Sequence, residues 1–317
     1  MSKLISAALL VLGLALISLF VGISAISPRS LLTDPAAREV LLISRVPRTI
    51  ALVLGGAGMA TAGLIMQMLA RNRFVEPSTA GTVESASLGL LAVTLFAPAA
   101  TPIVKMLSAT AFAVAGTVLF FAILARLPTR STLIVPLVGI MLGGIISAVT
   151  TFFAYRFDLL QSLGAWTTGD FSGVLRGRYE LLYVSAVLTL GAYVAADRFT
   201  VAGLGEAFAV NLGLNFRHIL ALGLAIVAMT TAVVVVSVGA IPFLGLVVPN
   251  LVSMALGDNM RRAVPWTALS GAAFVLACDI VGRTIRAPYE VPIGTVVGVV
   301  GSGIFLMLLL RRRHELG

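Results

Sequence analysis

The chain has 317 residues, 59% of them hydrophobic and 11% charged, with a mean hydropathy of +1.07. A soluble domain of this length does not need so much apolar surface, so the bilayer is its solvent. The formal charge of +9 is carried almost wholly by arginine; Lys3 and Lys105 are the only lysines, and neither follows the Gly-x4-Gly of a Walker A loop, so any ATP that powers the protein binds another chain.

Crossing a hydrocarbon core of about 30 Å takes about 20 helical residues. Runs of this kind are predicted at 4–26, 48–70, 82–98, 103–126, 131–154, 179–197, 216–238, 243–257, 265–282 and 293–310. The first follows Lys3 but is longer than a signal-peptide core, so it reads as a retained helix. Met59, Met66 and Met68 share the second run and read as packing residues rather than a soft-metal path. The eighth run is short and contains Pro242 and Pro249, so it is expected to be bent or broken. The fold predicted is an all-α, polytopic transmembrane bundle of about ten helices. It forms a single domain, 1–317, with no linker or separable soluble part.

An even number of spans puts both termini on one side, and the tail Arg311-Arg312-Arg313-His314 assigns that side to the cytoplasm. The inner connections are then 71–81, 127–130, 198–215 and 258–264. Basic residues divide almost evenly between the two sides, so the arginines outside call for their own explanation. In the outer connection 155–178, Tyr155, Trp166 and Phe171 read as an interfacial aromatic belt. The pairs Gly139/Gly143 and Gly294/Gly298 would let helices approach closely. Glu84 falls in the first turn of the third run, where a helix N-terminus tolerates it, and Asp279 falls near the outer end of the ninth. Neither is expected at a bilayer centre, which argues against a proton relay. Gln67 is a polar candidate for a translocation path, with an interhelical hydrogen bond as its other role.

Composition leaves little room for other chemistry. Cys278 is the only cysteine and His218 and His314 are far apart, so neither a disulfide nor a metal site is expected. No catalytic constellation is apparent. The charges are dispersed between apolar runs, which argues against a nucleic-acid partner.

The stretch 203–217 is too polar and glycine-rich to cross a bilayer, yet Leu204, Phe208 and Leu212 recur at i+4 as one apolar stripe. Glu206 suits a first helical turn and Gly213 a C-terminal stop. A short amphipathic helix outside the membrane suggests a docking surface. Before the second run, Arg45 and Arg48 flank Pro47. They read either as snorkelling side chains or as a cationic clamp for acidic residues of a partner.

Four ordered motifs tie these features together: Arg45-Val46-Pro47-Arg48, the turn from Gln67 to Gly81, the segment from Gly239 to Asn250, and Glu290-Val291-Pro292-Ile293-Gly294. They resemble the FecCD/BtuC-like permeases, the membrane subunits of type II ABC importers for iron-siderophores, haem and cobalamin. Arg73, Asn250 and Ser253 depart from that pattern, standing where the family has proline, histidine and often arginine. The resemblance implies two permeases, identical or related, around a central path. It further implies two ATPase subunits that bind ATP-Mg and a soluble substrate-binding protein outside. Gly205, Glu206, Phe208, Ala209, Leu212 and Gly213 would couple to the ATPase, while Arg45, Arg48 and Arg283 would meet glutamates of the binding protein. Asp279, one turn from Arg283, is a rival partner for it. The chain would bind no cofactor directly and would sit in the bacterial inner membrane. A ferric siderophore is the expected substrate, with haem or cobalamin as the alternative. An ion-coupled secondary transporter is the alternative from another class; no buried carboxylate is expected to support it.

Overall fold

The computed structural model describes residues 2–22, 29–127 and 134–311. The basic tail beyond 311 and most of the connection 127–130 lie outside them. The chain begins with α1 (Ser2–Phe20), followed by the short helices α2 (Ser30–Thr33) and α3 (Pro35–Val40). A π turn at Leu41–Arg45 leads into α4 (Val46–Leu69). Then come α5 (Thr82–Phe96), α6 (Pro102–Leu124), α7 (Ile134–Arg156) and α8 (Leu160–Thr167). The remainder is α9 (Tyr183–Val194), α10 (Ala196–Gly203), α11 (Glu206–Asn211), α12 (Phe216–Val238), α13 (Leu244–Leu256), α14 (Met260–Thr284) and α15 (Ile293–Arg311). No strand occurs among the described residues.

Each predicted run has its helix. Among the described residues seven helices are long and apolar enough to cross a membrane; an eighth span joins a short 3-10 turn and α9 to α10 through a 65° bend, and α5 and α13 are shorter apolar helices. The first run stops at Phe20 rather than 26, and the second helical segment starts well upstream, at Pro35. Boundaries follow local chemistry. Thr101 caps α6 with Pro102 behind it, and the side chains of Asn215 and Asn259 accept the N–H groups of His218 and Arg262 to start α12 and α14.

The core forms around α4, which is buried along most of its length and packs against α14, α12, α13 and α9. Small residues set these contacts. A Cβ on Gly56 would lie 2.7 Å from the Gly271 carbonyl oxygen, and one on Gly63 would lie 2.1 Å from that of Gly245. The spacing Gly139/Gly143 works the same way, bringing α7 against the backbone of Thr79, Ala80 and Gly81. The outward faces carry Leu137, Ile140, Ile145 and Phe152 on α7, and Val187, Leu190 and Val194 on α9. A bilayer or another chain must cover this surface.

Two expectations change. Tyr155 is exposed as an interfacial residue should be, but Phe171 is only 1% exposed and lies against Gly55. It belongs to the core and not to an aromatic belt. The eighth run is short, as expected, but α13 continues through Pro249 without a break. A proline there removes the N–H that would bond the Gly245 carbonyl four residues earlier. Gln67 on α4 supplies the missing donor, with Nε2 3.2 Å from Gly245 O.

Candidate functional site

Two charged or exposed loci sit at opposite ends of α4, a helix of 24 residues and therefore about 36 Å long. At its C-terminal end the turn residue Arg71 adopts a left-handed conformation with φ 48° and reaches toward Gly205. Gly205 has φ 113°, which suits glycine, and it precedes α11. Glu206 occupies the first turn of α11, as the sequence indicates. The helix ends on Leu212, with Gly213 left-handed at φ 77°. The N–H of Leu214 bonds the Ala209 carbonyl at 2.9 Å and that of Gly213 bonds Val210 at 2.9 Å, a Schellman stop. Ala209 is buried and fastens α11 to the bundle, whereas Leu204, Phe208 and Leu212 are each more than half exposed. The predicted apolar stripe therefore has no cover among the described residues. Helix α11 is shorter than the stretch 203–217 because Gly203 ends α10 and Phe216 already belongs to α12.

At the other end of α4, the structure brings Arg45, Arg48 and Arg283 together and buries all three. Arg48 donates through Nε and Nη2 to Asp279 Oδ1 at 3.1 and 2.7 Å, and through Nη1 to Glu290 Oε2 at 2.7 Å. Arg283 pairs with the other Asp279 oxygen and donates to the Ser18 and Val21 carbonyls at 3.0 and 2.6 Å. Arg45 also donates to Val21 O. The cations thus gather where α1 ends, satisfying its last carbonyls and complementing the negative end of its dipole. The three arginines expected to meet a binding protein therefore sit in one buried cluster. Arg48 and Arg283 are ion-paired within the chain, because Asp279 and Glu290 offer carboxylates within reach. The pairing of Arg283 with Asp279 is the rival role that the sequence raised.

A third group was missed. Glu76, in the turn between α4 and α5, is 2% exposed and accepts from the Phe243 N–H at 3.0 Å and from the Ser78 hydroxyl at 2.5 Å. It faces the first turn of α13, whose free N–H groups favour a carboxylate. Burial pushes its carboxyl up to about 7, outweighing hydrogen bonds from Ser78 and from the backbone of Phe243, Leu246 and Gly245. Asp279 is likewise buried, at 1% exposure. Buried carboxylates therefore do exist, contrary to the sequence reading: Glu76 is held by Ser78 and backbone N–H groups and Asp279 by Arg48 and Arg283, whereas Glu84 Oε2 is buried without a donor among the described residues. The signal for Glu76 was its place in a turn beside Pro77 with Ser78 two residues on, and linear spacing does not reveal that α13 begins there. Gln67, offered for the path, is 5% exposed and committed to Gly245, which is the interhelical role.

Among the described residues no group of His, Cys, Asp and Glu could hold a metal ion. The bundle, with its seven apolar helices of membrane length and its bent span, is that of a polytopic membrane protein. The chain belongs to the FecCD transport family, which matches it over residues 9–311. It is 50% identical to the petrobactin import system permease protein YclN of Bacillus subtilis over 96% of this chain and 97% of that one. It is 45% identical to the petrobactin import system permease protein FatD of Bacillus anthracis, over 98% and 91%. A solved structure described as an inward-facing conformation of a metal-chelate type ABC transporter superposes with a TM-score of 0.81 at 25% identity, covering 97% of this chain and 98% of that one. The chain is a transport subunit and not an enzyme.

Proposed function

We propose that this chain is the permease subunit of an ATP-driven importer for a ferric siderophore of the petrobactin type. The observation that carries the substrate is the 50% identity, over nearly the full length of both chains, with a petrobactin import permease. ATP-Mg sits on separate ATPase subunits that dock on α11, through Glu206, Phe208 and Leu212, with Gly205, Ala209 and Gly213 shaping the helix. The uncovered stripe and a neighbouring groove of about 830 Å³ lined by Arg71, Phe121, Glu206 and Arg217 support that assignment. A second permease, identical or related, completes the path, and the pair resides in the bacterial inner membrane with both termini cytoplasmic.

A binding protein docks at the arginine cluster by exchange. Glu290, the more exposed of Arg48's two partners at 19% against 1% for Asp279, holds Arg48 until a carboxylate of the binding protein replaces it. The test is uptake of ferric petrobactin into vesicles holding the assembled transporter. Uptake should require the ATPase and stop with a non-hydrolysable nucleotide. Uptake driven by an ion gradient without the ATPase would overturn the proposal.

A further inference from the structure

A cavity of about 540 Å³ opens between the start of α5, the middle of α7, α8 and the turn before α13. That volume suits a small ligand or part of a larger one. Its polar lining is unusual in its direction. The Ser87 hydroxyl donates to Val83 O at 3.0 Å, Thr150 to Ile146 O at 2.7 Å, Thr167 to Leu163 O at 3.0 Å, and Ser78 to Glu76 Oε1 at 2.5 Å. Each of these hydroxyls has one proton, and each proton is already used within the chain. At these four positions what remains for an occupant is oxygen lone pairs, and Ser147 and Thr151 complete the polar lining.

Glu84 adds a carboxylate to the same lining. Its Oε2 is buried and accepts no hydrogen bond among the described residues. The carboxyl lies beside Gly143, where a Cβ would sit 3.4 Å from that oxygen. Among the described residues no lysine or arginine lines the cavity. A buried acceptor without a donor is costly, and the complement of an unpartnered carboxylate is a donor or positive charge.

We propose that this cavity binds the ammonium-bearing part of the transported chelate, with Glu84 as the residue that selects for it. The proposal rests on the permease function above and narrows its substrate class to chelates that carry free amines. The helical wall supplies acceptors at Ser87, Thr150 and Thr167, and Glu84 supplies the countercharge.

The test uses the full-length chain in lipid nanodiscs with Cys278→Ser and Thr151→Cys, which leaves one thiol at the cavity wall. Hexane-1,6-diamine is the probe and hexane-1,6-diol the uncharged control. The diamine should slow maleimide labelling several-fold and the diol should not. Glu84→Gln should abolish the protection while the labelling rate without probe stays the same, which shows that the variant is folded. Equal protection by diamine and diol, or protection that survives Glu84→Gln, overturns the proposal. A parallel uptake assay with the ATPase and ferric petrobactin separates the two claims. Diamine protection without ATP-dependent uptake supports the cavity and overturns the permease function; uptake without protection overturns the cavity.

Discussion

Arg73 Nη2 lies 2.7 Å from Asp258 Oδ2, joining the turn after α4 to the turn before α14. Asn250 donates to the Arg73 carbonyl at 2.7 Å, and Ser253 donates to the other oxygen of Asp258. The three positions that depart from the family pattern, Arg73, Asn250 and Ser253, are therefore neighbours. They read as one local arrangement and not as three separate changes. The two ends of the ion pair are 36% and 54% exposed, so Arg73→Ala should cost less than about 1 kcal/mol. Asn250 is 5% exposed and serves both Arg73 O and Leu246 O, so Asn250→Ala should cost about 1–3 kcal/mol. Thermal unfolding in detergent checks that order, and the reverse order would contradict it.

Gln67→Leu should destabilise the bundle by about 1–3 kcal/mol, because it leaves the Gly245 carbonyl without a donor beside Pro249. Replacing Pro249 by Ala in the same background should recover part of the loss by restoring the helix's own hydrogen bond. Unfolding of the double variant is the deciding measurement. No recovery would mean that Gln67 acts elsewhere.

Glu76 makes stability depend on pH. Its folded value of about 7 lies above the ordinary 4.5, so the folded chain holds a proton that the unfolded chain has lost. Below the ordinary value both states are protonated and the effect vanishes. As pH rises from there to about 7, stability falls, by at most about 3 kcal/mol. Melting of the wild type should drop between pH 5 and 8 by more than that of Glu76→Gln. Parallel curves for the two proteins would rule out this group as the source.

Glu290→Gln should strengthen docking of the binding protein, since it removes the charge that competes for Arg48. Arg48→Ala should weaken docking, and salt should reduce the difference between the variants. Surface plasmon resonance at two ionic strengths reads both effects. Unchanged affinity in both variants would confine the cluster to a structural role at the end of α1.

Phe208→Ala should leave melting nearly unchanged, because the side chain is 57% exposed, yet reduce ATPase association. Gly213→Ala should cost about 1–2 kcal/mol, because φ 77° is unfavourable for a residue with a Cβ. Co-purification with the ATPase and ATP-dependent uptake together check the pair. Full coupling in both variants would remove α11 from the transmission path.

The helices were legible because apolar runs of membrane length leave a strong linear signal. Glu206 and Gly213 were legible because helix ends obey local rules. The fate of Arg48 was not, since it turns on Asp279 and Glu290, more than 200 residues away in sequence. Phe171 and Glu76 were misread or missed for the same reason: a connecting segment gives no sign of what will pack over it. The hydroxyls of the cavity did leave a trace, Ser147, Thr150 and Thr151 at helical spacing on an otherwise apolar run.

The contact of Gly56 with Gly271 has a mechanical meaning. No side chain separates the two backbones there, and the Ala60 methyl already fills the next position, 2.6 Å from where a Cβ on Gly271 would be. A slide of α14 along α4 by a single residue, about 1.5 Å, would drive one backbone into a side chain of the other. The two helices are keyed like a shaft in its slot: they can tilt together far more cheaply than they can slip. A force applied at one end of α4 would therefore carry α14 with it.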